Sequence, residues 1–226
     1  MRYRVLLVSP DSHISYDGRT PDALGVGGGI TARVSLLAAL AAIGHDVTAY
    51  VNCAEPMEYQ GVHYMPLDRL ERIDTDVLIA MTTGDALSFA SLRGLPIQAS
   101  LRVVWVQGVP QPADLDAIAP DYICAASNFL RDVCVHRWGI ATDRLFVCYN
   151  GLQQGRFKQA DAAAAVVRDP FAVAYIGPSE KGLDASVAIL QRLRAHDTRY
   201  HLDVFGGSAL WGGADRPTPM PDGVTF

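Results

Sequence analysis

Gly25-Val26-Gly27-Gly28-Gly29-Ile30 runs straight into Thr31-Ala32-Arg33-Val34-Ser35-Leu36-Leu37-Ala38-Ala39-Leu40, so a glycine-rich loop opens a long apolar helix. Glycine has no Cβ, so such a loop can turn through positive φ and let a ligand approach the backbone closely. The first turn of the helix leaves amide N–H groups without intrahelical acceptors, and the helix dipole adds positive charge there. The stretch can therefore cradle an anion such as a phosphate. It also suits a tight packing turn, and its surroundings must decide between the two.

Around this point the chain alternates strands and helices. Tyr3 to Val8 reads as a buried parallel strand, followed by a long polar loop from Ser9 to Val26 that holds Asp11, His13, Tyr16, Asp17 and Arg19. Loops of that length in a compact domain are usually functional or mobile. The helix runs from Gly29 to about Ile43, with Ile30, Val34, Leu37 and Ala41 on one stripe and Gly44 as its left-handed stop. Val47–Val51, Val62–Met65, Asp76–Met81, Leu101–Val106, Tyr122–Ala126 and Arg144–Cys148 read as further strands. Helices are expected over Asp85–Arg93 and from Ser127, as cap, to about Trp138. This alternation implies a parallel sheet covered on both faces.

Residues 1–150 are expected to form one Rossmann-like domain and residues 151–169 a connector with an alanine-rich run. From Pro170 a fresh unit starts: strand Phe171–Ile176, loop Gly177–Gly182, helix Leu183–Ala195, strand Tyr200–Phe205 and the beginning of a third strand at Gly223–Phe226. Two firm strands and one helix are too few to bury both faces of a sheet, so residues 170–226 are expected to be an incomplete second domain. A second chain or a further segment would complete it.

Composition narrows the function. The 226 residues are half apolar and 19% charged, with a net charge of −5 and no long run of either sign, which disfavours nucleic acid or an anionic membrane as the main partner. No apolar run reaches membrane-spanning length and nothing directs secretion, so a cytoplasmic protein is expected. Cys53, Cys124, Cys134 and Cys148 lack metal-ligand spacing and read as buried free thiols.

The motifs exclude several chemistries. Ile30 stands where a dinucleotide fingerprint needs glycine, and no Lys-Ser or Lys-Thr follows as in a Walker loop. Asp74-Thr75-Asp76 precedes its strand, and Asp114-Leu115-Asp116 begins an expected helix, so neither reads as a metal-diphosphate site. No nucleophile elbow is present. Lys181 lies in a glycine-flanked loop at a helix start, where the dipole disfavours a cation unless it meets a bound anion. A solvated surface lysine is the alternative.

Val5–Val8, Gly27-Gly28-Gly29, Gly44-His45-Asp46-Val47-Thr48, Asp76-Val77, Ala126-Ser127 and Tyr149-Asn150-Gly151-Leu152 with Phe157 resemble the N-terminal domain of retaining glycosyltransferases of family four. Ala174-Tyr175-Ile176-Gly177, Lys181-Gly182-Leu183-Asp184 and Leu202-Asp203-Val204-Phe205-Gly206-Gly207 resemble the opening of that family's C-terminal domain. The resemblance implies the glycosyltransferase B fold: an α/β chain with a Rossmann-like parallel sheet, helices on both faces, then a second such domain. It implies a nucleotide diphosphate sugar as donor substrate, a hydroxyl acceptor, and no cofactor or metal. Gly28, Gly29, Gly177 and Lys181 would hold the donor diphosphate, while Gln107, Ser127, His13 and Tyr16 would line the acceptor side. Two positions depart from the family: Pro178 replaces an arginine after Gly177, and Gln107 stands where a histidine is common. Glutamine cannot transfer a proton but can hydrogen-bond a sugar. The acidic motif that grips the donor sugar is expected beyond Phe226. A non-catalytic member that binds a sugar or nucleotide, or scaffolds a partner, is the alternative reading.

Overall fold

The computed structural model describes residues 1–82, 87–152, 167–206 and 220–226. The chain divides into two compact units, Met1–Gly151 and Leu152–Phe226.

The first unit is built on an eight-stranded sheet in the order β3-β4-β2-β1-β5-β6-β7-β8. Its strands are β1 (Arg4–Val8), β2 (Asp46–Val51), β3 (Met57–Tyr59), β4 (Val62–Pro66), β5 (Ile73–Ala80), β6 (Ile97–Val106), β7 (Tyr122–Ala125) and β8 (Leu145–Val147). All neighbours pair in parallel except β3 and β4. The helices are α1 (Thr20–Ala23), α2 (Gly28–Ala42) and α3 (Asn128–His136).

Side-chain alternation along the strands sorts the core into two faces. Val5 and Leu7 of β1 pack with Ile30, Val34 and Leu37 of α2, while Met81, Val103, Trp105 and Cys124 extend that face toward Ala32 and Leu36. Leu6 and Val8 face the other way, into a layer with Leu130 and Cys134 of α3, Phe89, Leu92 and Ile118. The apolar stripe expected on α2 is thus the face it buries, and Gly44 stops the helix at φ 97°.

Several local expectations are corrected. The helix expected over Asp85–Arg93 is not formed in its described part, which holds only a three-residue turn, Ala90–Leu92. The reason is tertiary pairing: the Phe89 amide donates to the Ala113 carbonyl at 3.1 Å and the Ala113 amide to the Leu87 carbonyl at 2.7 Å. Asp114 caps only a three-residue 3-10 helix, Leu115–Ala117, and does so from a left-handed φ of 58°. β3 is an unexpected strand, joined to β4 by Gln60-Gly61 with φ of 50° and 74°, the two positive values a tight hairpin requires. Cys53, Cys124 and Cys134 are buried, but Cys148 is exposed. The alanine-rich run expected to form a short helix lies, but for Val167, outside the described residues.

The second unit holds a parallel three-stranded sheet, ordered β11-β10-β9, made of β9 (Ala172–Ile176), β10 (His201–Phe205) and β11 (Val224–Thr225). Helix α4 (Leu183–His196) covers one face, with Leu183 and Leu190 on Leu202 and Val204. Ala172, Ala174 and Ile176 of β9 point to the other face and are exposed.

Candidate functional site

In a parallel α/β sheet, ligands bind outside the carboxyl ends of the strands where the strand order reverses. Here that place is between β1 and β5: β1 leads through α2 to β2 on one side, and the chain later returns to β5 on the other. The start of α2 belongs to the same edge.

Gly27 caps α2 in an extended conformation without a side-chain hydrogen bond. The amides of Ile30 and Thr31 already reach the Gly27 carbonyl, at 3.1 and 3.3 Å. Gly28 and Gly29 precede them as the first two residues of the helix, and their own amides have no intrahelical acceptor. Gly28 is exposed, and a Cβ built on it would meet nothing within 4 Å. On its Cβ side Gly28 therefore faces open space.

Further along the helix, Arg33, which sequence reasoning missed, gathers a buried polar group that includes the expected site residue Tyr16. Arg33 of α2 donates through Nη1 to Ser9 Oγ at 2.6 Å and to the Tyr16 hydroxyl at 2.7 Å, and through Nη2 to Asp11 Oδ2 at 2.6 Å. The Arg33 and Asp11 side chains are 0% and 1% exposed. Burial opposes the charge on Arg33, but Tyr16 and Asp11 together outweigh it and hold the guanidinium's pKa up. Burial pushes the Tyr16 phenol up as well. One signal for Arg33 was available: it is the single charged residue among the fifteen of α2.

The long segment after β1 is packed along most of its length. Asn52, just past β2, donates through Nδ2 to the carbonyls of Ser12 and Ile14 at 3.3 and 2.9 Å, and accepts the Tyr16 amide at 2.8 Å. His13 is half-buried within this segment. Gly18 is pressed against aromatic rings; a Cβ there would sit 2.7 Å from Tyr64 and 2.8 Å from Tyr59.

Further along the same edge, Gln107 follows β6 and Ser127 follows β7. Gln107 and Asn150 exchange amide hydrogen bonds of 3.0 and 2.9 Å. Ser127 caps α3, its hydroxyl accepting the Leu130 amide at 3.2 Å, and Asn128 donates to the Tyr149 hydroxyl at 2.9 Å. Asn150 was not among the expected site residues; its place just after β8 puts it beside Gln107.

In the second unit, Gly177 and Gly206 end β9 and β10 with φ of 148° and 119°. Their backbones touch: the Gly177 amide donates to the Phe205 carbonyl at 2.9 Å, and a Cβ on Gly206 would lie 2.7 Å from the Gly177 carbonyl oxygen. Pro178 is buried, and its carbonyl accepts both the Tyr175 hydroxyl at 2.6 Å and the Lys181 amide at 3.0 Å. Exposed Lys181 ends the short turn Ser179–Lys181, and Gly182 with φ 116° then starts α4. Among the described residues no group of histidines, cysteines and acids could hold a metal ion. Asp74 and Asp76 instead pair with Arg4 at 3.2 and 3.4 Å. No described helix is long and apolar enough to cross a membrane.

No protein-family model matches this chain, and no curated protein does. Among solved structures it is similar to a glycosyltransferase from Rickettsia africae ESF-5, with a TM-score of 0.55 at 11% identity. The match covers 92% of this chain and 61% of that one. At that identity the likeness is one of fold. The chain therefore has an α/β architecture, a mostly parallel eight-stranded sheet plus a small parallel three-stranded sheet, that resembles a glycosyltransferase fold.

Proposed function

We propose that this chain is a retaining glycosyltransferase, or the N-terminal portion of one, that moves a sugar from a nucleotide diphosphate donor to a hydroxyl acceptor without a metal. The observation that carries the reading is the open glycine start of α2 at the strand-order reversal of a sheet whose fold resembles a glycosyltransferase. Gly28 and Gly29 would offer backbone amides to the diphosphate. In the second unit, Gly177 and Lys181 would offer a close backbone approach and a cation to a diphosphate, the kind of group that stabilises charge on a leaving group. Gln107, with Asn150 fixing its amide, would hydrogen-bond an acceptor hydroxyl. Ser127 and His13 belong to the same side. Tyr16, its hydroxyl turned to Arg33, would act by shaping the segment that carries His13.

Thermal shift with UDP-, GDP- and ADP-sugars tests the reading. A ligand that binds the native state raises its stability with the logarithm of concentration over dissociation constant. One nucleotide series should stabilise the protein, and EDTA should leave the shift unchanged. A flat response to all three overturns the donor site, and an EDTA-sensitive shift overturns metal independence. A second reading, a binding protein without transfer activity, is favoured by Gln107 and Pro178, the two positions that depart from the resembled family. Nucleotide stabilisation without turnover of any donor would favour it.

A further inference from the structure

Arg33 is placed to do more than fill space. α2 is capped by Gly27 and opens with Gly28 and Gly29, so these positions have no side chain with which to grip the sheet. Ile30 and Arg33 are the first residues that anchor it, both buried. Ile30 makes apolar contacts that tolerate sliding. Arg33 does not, because its planar fork meets three partners with fixed directions, all from residues just past β1: Ser9, Asp11 and Tyr16. The same segment is held from the other side by Asn52 at the end of β2. A buried ion pair is weak evidence for stability, since apolar residues of equal volume often serve as well. What it does supply is direction.

Resting on the sugar-transfer reading above, we propose that Arg33 is a positioning residue for the diphosphate cradle. It fixes the start of α2 against the end of β1, so that the Gly28 and Gly29 amides hold one direction while the cradle is empty. A pre-set cradle binds its anion without first ordering a glycine loop.

The test compares wild type with Arg33→Met/Asp11→Leu, which replaces the pair by apolar groups, and with Arg33→Lys, which keeps the charge and loses the fork. Amide hydrogen exchange is read at Ile30, Thr31 and Tyr16 and compared with the β1 amides. The dissociation constant of the stabilising nucleotide sugar is read beside it. We expect exchange at the three marker amides to accelerate about tenfold, β1 exchange to stay unchanged, and affinity to drop about tenfold, the scale of losing a hydrogen bond to a charged group. Unchanged marker exchange in a folded variant overturns the proposal, as does faster exchange with wild-type affinity. If the double variant does not fold, Arg33→Lys decides by the same two readouts. If wild type binds no nucleotide, the sugar-transfer reading fails, and the exchange comparison by itself upholds or overturns the anchoring role of Arg33.

Discussion

Gln107 and Asn150, forty-three positions apart, face each other as a reciprocal amide pair, each donating to the other at 3.0 and 2.9 Å. Each amide keeps one N–H and one oxygen lone pair for a third party. Replacing Gln107 by Ala removes that platform and leaves Asn150 half-satisfied in solvent. In the proposed enzyme, the variant should raise the acceptor KM about fivefold, the worth of one hydrogen bond near 1 kcal/mol. The donor KM should stay put. Steady-state kinetics with each substrate varied in turn would decide, and a change confined to donor KM would move Gln107 to the wrong side of the reaction.

Gly28 offers a cleaner separation of stability from binding. A methyl group there meets no neighbour within 4 Å, and the position is helical. Gly28→Ala should therefore leave stability unchanged or raise it by up to about 1 kcal/mol, because alanine loses less backbone freedom on folding. The same methyl would stand between the backbone and a diphosphate. Thermal melts with and without nucleotide sugar should show a higher or equal baseline and a smaller ligand shift. An undiminished shift would place the anion elsewhere.

Acid should loosen the clasp between the segments after β5 and β6. The Ser88 hydroxyl, and then the Arg93 guanidinium, hold the Asp114 carboxyl below the usual carboxylate range. A carboxyl whose folded pKa lies below its unfolded value near 3.9 stabilises the fold above that value, and the contribution fades as pH falls through the folded one. Wild type should thus lose stability more steeply than Asp114→Asn between about pH 5 and 3. Asparagine also tolerates the left-handed backbone of this position. Parallel acid limbs in chemical denaturation would remove Asp114 from the account.

The thiols should separate by access. Burial pushes Cys124 up to about 12 and Cys134 up to about 11. Burial also raises Cys53, whereas Cys148 is exposed. Only the thiolate attacks an alkylating agent. Iodoacetamide at pH 8 should modify Cys148 alone in the folded protein, as read by peptide mass spectrometry. Rapid labelling of Cys124 or Cys134 would contradict the packing of β7 and α3.

Much of the sheet was legible in the sequence because parallel strands buried on both faces leave short apolar runs, and glycine stops such as Gly44 mark helix ends. What escaped were features made by distant partners. The segment around Ser88 and Phe89 carries helix-compatible residues, yet Ala113 claims its backbone hydrogen bonds. Met57–Tyr59 is too short to show a period, and its turn uses Gln60, an uncommon residue for positive φ. Within the candidate site, the glycine start stood out by local composition, and Gln107 entered only through the family resemblance. Arg33 did not stand out, because its meaning depends on Asp11, Ser9 and Tyr16, which lie across a loop rather than along the helix.

The anchoring of residues 9–18 also bears on engineering. This connection looks like a natural place to open the chain, being long and polar. Yet Arg33, Asn52 and the rings of Tyr59 and Tyr64 hold it at several points, with Tyr16 held by both Arg33 and Asn52. New termini cut between Ser9 and Gly18 would detach those grips from one another, so a circular permutant opened there should fare worse than one opened in the Gln60-Gly61 hairpin.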